Sequence, residues 1–194
     1  LFMTIQWMLS SFANEGKAFF IAIWAAGFLL LMKSKKAKVY QILAVVFSVV
    51  ALLPYAGISF FSEMGIGYID IEQRLTELPT WQTMTIQNRI AFFWWIAAVL
   101  FTLVLLWKVT GHSVFISMVF LGGIASEAVL HFSPTIYASG ARVYYLTDLM
   151  YLFIILWMVM RMDSEKKKNL FIAGAAALGV INFLSQYSIM LLKL

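Results

Sequence analysis

The chain has 194 residues, of which 63% are hydrophobic and 12% charged, and its formal net charge is +5. A soluble domain of this size has no core large enough for so much apolar surface, so lipid is the expected solvent. The chain has no Cys and only two histidines, His112 and His131, which excludes disulfides, thiol chemistry and Cys-based or His-rich metal sites. Its basic residues lie in short stretches between apolar segments, so no nucleic-acid partner is expected.

Six apolar segments approach the roughly 20 residues that a helix needs to cross a bilayer. They run over residues 18–32, 40–61, 90–107, 113–130, 143–160 and 170–192. The sequence therefore predicts an all-α, polytopic transmembrane helix bundle of about six spans, with residues 1–194 forming a single domain. The chain begins with Leu1 and has no recognisable signal peptide, so we expect it to be part of a longer protein.

The distribution of positive charge predicts the orientation of the bundle. The loops after the first, third and fifth segments share one side by alternation, and they hold nine Lys or Arg against five on the other side. The nine are Lys33, Lys35, Lys36, Lys38, Lys108, Arg161, Lys166, Lys167 and Lys168. The positive-inside rule places this side in the cytoplasm and both termini of the chain outside the cytoplasmic membrane.

Two segments on the predicted outer side are more than simple turns. Residues 62–88 form a long connection with several acids, in which Glu72 to Leu78 are expected to make a short interfacial helix that stops before Pro79. Residues 131–142 read HFSPTIYASGAR, and Pro134 and Gly140 break helix. We expect this second segment to dip back toward the bundle, against protein or a wet cavity.

Glu127 is the most informative single residue, because a carboxylate in an apolar helix must be paired, protonated or hydrated. His131 follows four residues later on the same helical face. The pair suits a proton, a cation or a polar ligand. Alternatively, Glu127 pairs with an arginine and only fastens helices together.

Two arginines and a polar stripe complete the candidate site. Arg89 and Arg142 open the third and fifth segments, where guanidinium groups suit a lipid phosphate, or else salt bridging and contact with headgroups. Asp148 shares a helical face with Tyr144 and Tyr151, which suits the lining of a ligand cavity. The candidate residues for substrate or lipid phosphate are thus Arg89, Glu127, His131, Arg142, Tyr144 and Asp148.

The remaining motifs bear on partners and cofactors. Small residues recur in the last segment and suit close helix packing, either internally or in an oligomer. They are Ala173, Ala175, Ala177 and Gly179. The basic runs 33–38 and 161–168 are topology signals first, with weakly specific affinity for anionic membrane lipids. No cofactor or metal site is predicted, although binding of a divalent cation is left open, and no phosphate loop, nucleophile elbow or zinc motif is present.

The segment 133–159, SPTIYASGARVYYLTDLMYLFIILWMV, combines a Ser-Pro pair with Ser-Gly-x-Arg-Val-Tyr at the start of an apolar helix. It resembles the late region of bacterial GtrII-type glucosyltransferases and related polytopic membrane proteins, a GT-C-like group. The segment 88–101, NRIAFFWWIAAVLF, fits the same resemblance, which covers about a third of the chain.

This resemblance implies a glycosyltransferase that uses a polyprenyl-phosphate-linked sugar on the outer face to modify an envelope glycan. The chain would be its C-terminal helical half, without the outer loop that holds the catalytic acid in such enzymes, so no catalytic residue is assigned. Arg89 and Arg142 would then grip the lipid-linked phosphate, and Glu127, His131 and Asp148 would line the cavity. The competing interpretation is a non-enzymatic membrane component, such as a transporter or channel subunit, an accessory protein or an immunity-type protein.

Overall fold

The computed structural model describes residues 16–53, 86–130 and 145–191. Within these ranges all of the regular secondary structure is helical, which confirms the all-α prediction. The described ranges contain six α-helices, α1 (Lys17–Leu31), α2 (Lys38–Leu52), α3 (Ile86–Val109), α4 (Val114–Leu130), α5 (Tyr145–Met160) and α6 (Glu165–Leu191). A short 3₁₀ helix, Lys35–Ala37, joins α1 to α2.

Each predicted apolar segment overlaps one of these helices, and some helices extend beyond their segment. Residues 54–61 of the second predicted segment lie outside the described residues. α3 begins at Ile86 rather than at residue 90, and α6 begins at Glu165 rather than at residue 170. Both extensions consist largely of polar and charged residues, which can be helical without being apolar, so hydropathy alone does not detect them. Residues 86–88, the end of the predicted outer segment 62–88, therefore belong to helix α3. Residues 62–85, including the predicted interfacial helix, lie outside the described residues.

Helix α1 lies at the centre of the bundle. It contacts α2, α3, α5 and α6, and its buried side chains lie on all of its faces. Phe20, Ile23, Trp24 and Ala26 have no exposed surface. A helix that is apolar all round must be buried on all sides, either in protein or in lipid, and α1 achieves this mainly against its neighbours.

Contacts along α1 give the direction of the helices around it. The Phe20 and Trp95 rings lie 5.6 Å apart, Trp24 bonds to Thr102, and a Cβ added to Gly27 would lie 2.7 Å from Leu105. Because both sets of residue numbers rise together, α1 and α3 run parallel. The Phe19–Tyr151 and Lys33–Asp163 contacts show in the same way that α1 and α5 run parallel.

The intervening helices run in the opposite direction. On α4 and α5, Phe120 contacts Tyr151 and Phe115 contacts Phe153, so the residue numbers change in opposite senses. The α3–α4 turn is tight because Gly111 and His112 both adopt left-handed backbone with φ of 64° and 72°. The His112 N–H donates to the Trp107 carbonyl at 2.9 Å and closes this turn.

This alternation brings the lysine-rich junctions to one end of the bundle, which we call the basic end. It comprises the α1–α2, α3–α4 and α5–α6 junctions. Lys33 Nζ lies 2.7 Å from Asp163 Oδ2, and Lys167 Nζ lies 3.0 Å from Asp163 Oδ1. Asp163 thus ties the first of these junctions to the last.

The outer surface of the bundle is apolar along the helices. Phe93 on α3, Phe115 on α4 and Leu156 on α5 are each more than half exposed, and other large hydrophobic side chains are exposed on every helix except the central α1. By length and composition, α3 contains a segment that can cross a membrane, Phe92–Val109, with a mean hydropathy of 2.1. Within the described part of the chain, α1, α4 and α5 are apolar but shorter.

Candidate functional site: a polar cluster between α4 and α5

Glu127 lies in the last turn of α4 and is almost completely buried, with 1% of its surface exposed. It is the only carboxylate in an otherwise apolar and small-residue helix. Because α4 runs antiparallel to α5, this turn packs beside the first turns of α5, at the end of the bundle opposite the basic end. The carboxylate that the sequence singles out is therefore buried where the end of α4 meets the start of α5.

Hydroxyl groups join α4 to α5 directly beside Glu127. Ser126 Oγ donates to the Gly123 carbonyl at 2.8 Å, and Thr147 Oγ1 donates to the same carbonyl at 3.2 Å. The two hydroxyl oxygens lie 3.1 Å apart. Thr147 is 3% exposed, so this small network is shielded from solvent.

Gly123 permits the close approach of the two helices. A Cβ at this position would lie 3.1 Å from Cε1 of Tyr151 and 3.7 Å from the Thr147 methyl group. A side chain there would require the Tyr151 ring to shift by a few tenths of an ångström. The constraint on this position thus comes from the neighbouring helix rather than from the backbone conformation of the glycine.

Tyr151 lies about one turn after Thr147 on α5 and is 1% exposed. Its ring packs against Phe19, Phe20 and Phe120, with ring centroids 6.1, 5.7 and 5.7 Å away. Its hydroxyl group is buried and has no hydrogen-bond partner among the described residues. Both the Glu127 and Asp148 carboxylates lie close enough to interact with this hydroxyl electrostatically.

The structure therefore brings together Glu127, Asp148 and Tyr151, three residues that the sequence interpretation singled out. Asp148 is half-buried in the first described turn of α5, and Tyr151 follows it on the same face. Arg89 is half-buried near the start of α3. His131, Arg142 and Tyr144 lie outside the described residues, so their place relative to Glu127 stays a prediction.

Sequence reasoning missed Gly123, Ser126 and Thr147. Each is an ordinary residue in an apolar helix, and its role depends on which neighbour the helix meets. The available signal was adjacency: Ser126 precedes Glu127, and Thr147 precedes Asp148. Two such pairs on consecutive helices suggest an antiparallel polar contact.

We call the set Ser126, Glu127, Thr147, Asp148 and Tyr151 the α4–α5 polar cluster. It offers two carboxylates and three hydroxyl groups within an apolar surrounding of aromatic rings. These groups can accept hydrogen bonds from, and donate them to, a hydroxyl-rich or cationic ligand. In the described ranges, no group of three or more His, Asp or Glu side chains is placed to hold a metal ion.

The chain was compared with models of protein families, with curated proteins and with solved structures. None of the three comparisons found a match. The resemblance to GT-C-like glycosyltransferases therefore rests on the sequence segments that suggested it.

Proposed function

We propose that the chain is a multi-pass integral membrane protein of the bacterial cytoplasmic membrane. The support is the combination of an apolar exterior on five of the helices with charged side chains gathered at the basic end. In water, exposed side chains such as Phe93 and Phe115 would form a far larger apolar surface than soluble monomers carry. In lipid the same surface carries no penalty.

The proposed topology has six spans with the basic end in the cytoplasm and both termini of the chain outside. Alternating helix directions and the positive-inside rule support it. The described parts of α1, α2, α4 and α5 contain 15 to 17 residues, and each of these helices lies at the border of the described ranges.

The α4–α5 polar cluster then lies toward the outer face, and we propose that it binds the sugar of a polyprenyl-phosphate-linked donor. The observation that carries this proposal is the buried Tyr151 hydroxyl, held near two carboxylates without a hydrogen-bond partner among the described residues. A sugar hydroxyl entering the cluster would supply that partner. Arg89 and Arg142 are the proposed contacts for the phosphate, and the enzyme class proposed is a GT-C-like glycosyltransferase.

A non-enzymatic membrane component is the second candidate, and one observation favours it. The Gly123 carbonyl accepts hydrogen bonds from both Ser126 and Thr147, so part of the cluster already fastens α4 to α5. In that case Glu127 and Asp148 would serve the same purpose. An accessory or immunity-type protein needs only such contacts between its helices and no ligand site.

Membrane topology is tested first by cysteine labelling, since the chain has no native Cys. Single variants Ser34→Cys, Ser164→Cys and Thr80→Cys are exposed to a membrane-impermeant maleimide in intact spheroplasts and after permeabilisation. We expect Thr80→Cys to react in intact spheroplasts and the other two to react only after permeabilisation. The reverse pattern contradicts the orientation, and release of the protein by alkaline carbonate contradicts membrane integration.

The ligand proposal is tested with Glu127→Gln, Asp148→Asn, Arg89→Ala and Arg142→Ala in the full protein. Envelope glycan composition and the amount of protein in the membrane are measured together. Glu165→Gln is the matched control, because its carboxylate lies at the basic end and pairs with Lys168 at 2.8 Å. Loss of the glycan product at unchanged protein level supports the enzyme. Unchanged glycan, or loss of the protein itself, supports the non-enzymatic component.

A further inference from the structure

An apolar groove runs along the outside of the bundle between α2 and α6, with α1 as its floor. Its volume is about 510 Å³, within the range of about 300 to 1,000 Å³ that is typical of ligand pockets. Nearly all of its lining is hydrocarbon. The groove exists because α1 contacts both α2 and α6, whereas small residues on α6, including Gly174 and Ala177, leave space between the two walls.

Unused positive charge lies at one mouth of this groove. Lys38 precedes the groove residue Val45 by seven positions on α2, and Lys166 precedes the groove residue Leu170 by four on α6. Side chains at these spacings share a helical face, so both lysines lie on the groove side at the basic end. Both are exposed, and neither makes an ion pair with a described residue, whereas the nearby Lys33, Lys167 and Lys168 do.

We propose that this groove binds one anionic phospholipid of the cytoplasmic leaflet. An acyl chain occupies the groove over α1, and the headgroup phosphate lies between Lys38 and Lys166. An apolar channel that ends at two lysines without an ion-pair partner among the described residues matches the two-part chemistry of such a lipid. Basic pockets between helices on the cytoplasmic side recognise anionic headgroups. The inference rests on the proposed membrane location and orientation, but not on the proposed glycosyltransferase activity.

Two glycines on α6 provide a matched pair for the acyl-chain part of the proposal. A Cβ added to Gly174 or to Gly179 would meet no atom within 4 Å, so both positions accept a larger side chain without a clash. Only Gly174 lines the groove. Gly174→Leu should fill the groove, while Gly179→Leu adds the same side chain to the same helix elsewhere.

The experiment measures lipid binding by native mass spectrometry of the delipidated full protein, titrated with phosphatidylglycerol or with phosphatidylcholine. We expect one tightly bound phosphatidylglycerol, a several-fold weaker phosphatidylcholine adduct, and loss of both adducts in Gly174→Leu but not in Gly179→Leu. The double variant Lys38→Gln, Lys166→Gln should lose the preference for the anionic lipid, by about five-fold per lysine. Lys35→Gln, Lys36→Gln is the charge-matched control and should retain it.

Equal binding of both lipids by the unaltered protein, or equal binding by Gly174→Leu and Gly179→Leu, would overturn the proposal. So would a Gly174→Leu protein that binds lipid normally but changes from dimer to monomer, because the occupant would then be a second copy of the chain through α6. The cysteine-labelling experiment distinguishes failure of this inference from failure of the proposed membrane location. A protein that is inserted in the proposed orientation but shows no preference for the anionic lipid contradicts this inference alone.

Discussion

The indole N–H of Trp24 donates a hydrogen bond of 2.8 Å to Oγ1 of Thr102, and neither residue has any exposed surface. The two residues are 78 positions apart in sequence and link the central helix α1 to α3. Thr102 Oγ1 in turn donates to the Ala98 carbonyl at 2.7 Å, so its hydroxyl group is oriented to accept from the indole. The contact is a polar link within an otherwise aromatic interface.

Replacing Thr102 by Val keeps the shape of the side chain but removes the acceptor. The buried indole N–H is then left without a partner, which costs about 1–3 kcal/mol of the free energy of unfolding. Thermal unfolding of the purified protein in detergent should show the loss, and Trp24→Phe in the Thr102→Val background should cost less than in the unaltered protein. Ser117→Ala, which removes a long bond of 3.5 Å from the Ser117 hydroxyl to the Ser113 carbonyl, is the control and should have a smaller effect.

Gly27→Ala should destabilise the bundle through the same α1–α3 interface. The new Cβ would lie 2.7 Å from Cδ2 and 3.0 Å from Cγ of Leu105, a side chain with no exposed surface and therefore little room to move. Overpacking of this kind costs about 1–3 kcal/mol. Gly174→Ala, where the added methyl meets nothing, should instead be neutral or stabilise α6 by up to about 1 kcal/mol. Similar unfolding temperatures for the two variants would contradict the close approach of α1 to α3.

The basic end should respond to acid through Asp163. Hydrogen bonds from Lys33 and then Lys167 lower the pKa of this carboxyl group to about 2. Because the pKa is about 3.9 in an unfolded chain, the stabilising contribution is fully present above about pH 4 and is lost as the pH falls toward 2. The effect is small, since Asp163 is exposed. NMR titration of the Asp163 carboxyl should give the low pKa, and Lys33→Met should raise it toward the ordinary value.

Tyr151→Phe separates a binding role from a structural one. The hydroxyl group is buried and has no hydrogen-bond partner among the described residues, so its removal should leave the free energy of unfolding unchanged or raise it. If the cluster binds a sugar, the same variant should still lose the glycan product. Tyr145→Phe, on the same helix but 68% exposed, should change neither property. A clear loss of stability in Tyr151→Phe would show that the hydroxyl makes a structural bond.

The helices were predictable from the sequence, because each apolar segment is long and bounded by charged or helix-breaking residues. The common location of the lysine-rich junctions was predictable for the same reason, since alternation requires only the number of helices. An ion pair between the two junctions then follows from their adjacency. The sequence does not predict that Lys33 pairs with Asp163 rather than with Glu165. That choice depends on side-chain reach at the packed helix ends.

The candidate site was predictable only in part. Glu127 and Asp148 were identifiable because carboxylates in apolar helices are costly, and Tyr151 because it shares a face with Asp148. The hydroxyl network of Ser126 and Thr147 was not, since it depends on Gly123 allowing α4 and α5 to approach closely. The apolar groove was also beyond sequence reasoning. In the predicted small-residue set, Ala175 and Ala177 line the groove and Ala175 also packs against the core, whereas Ala173 and Gly179 are exposed and do not line it. The proposed oligomer stays a prediction.

The central position of α1 has a consequence for biosynthesis. Of the helices described here, α1 is the first to leave the ribosome, and its neighbours α3, α5 and α6 are made only after α2. Until they arrive, Trp24 and the closely packed face around Gly27 have only α2 beside them. Assembly must therefore wait for late segments, and nascent chains that stop before α5 should be preferred substrates for membrane proteases.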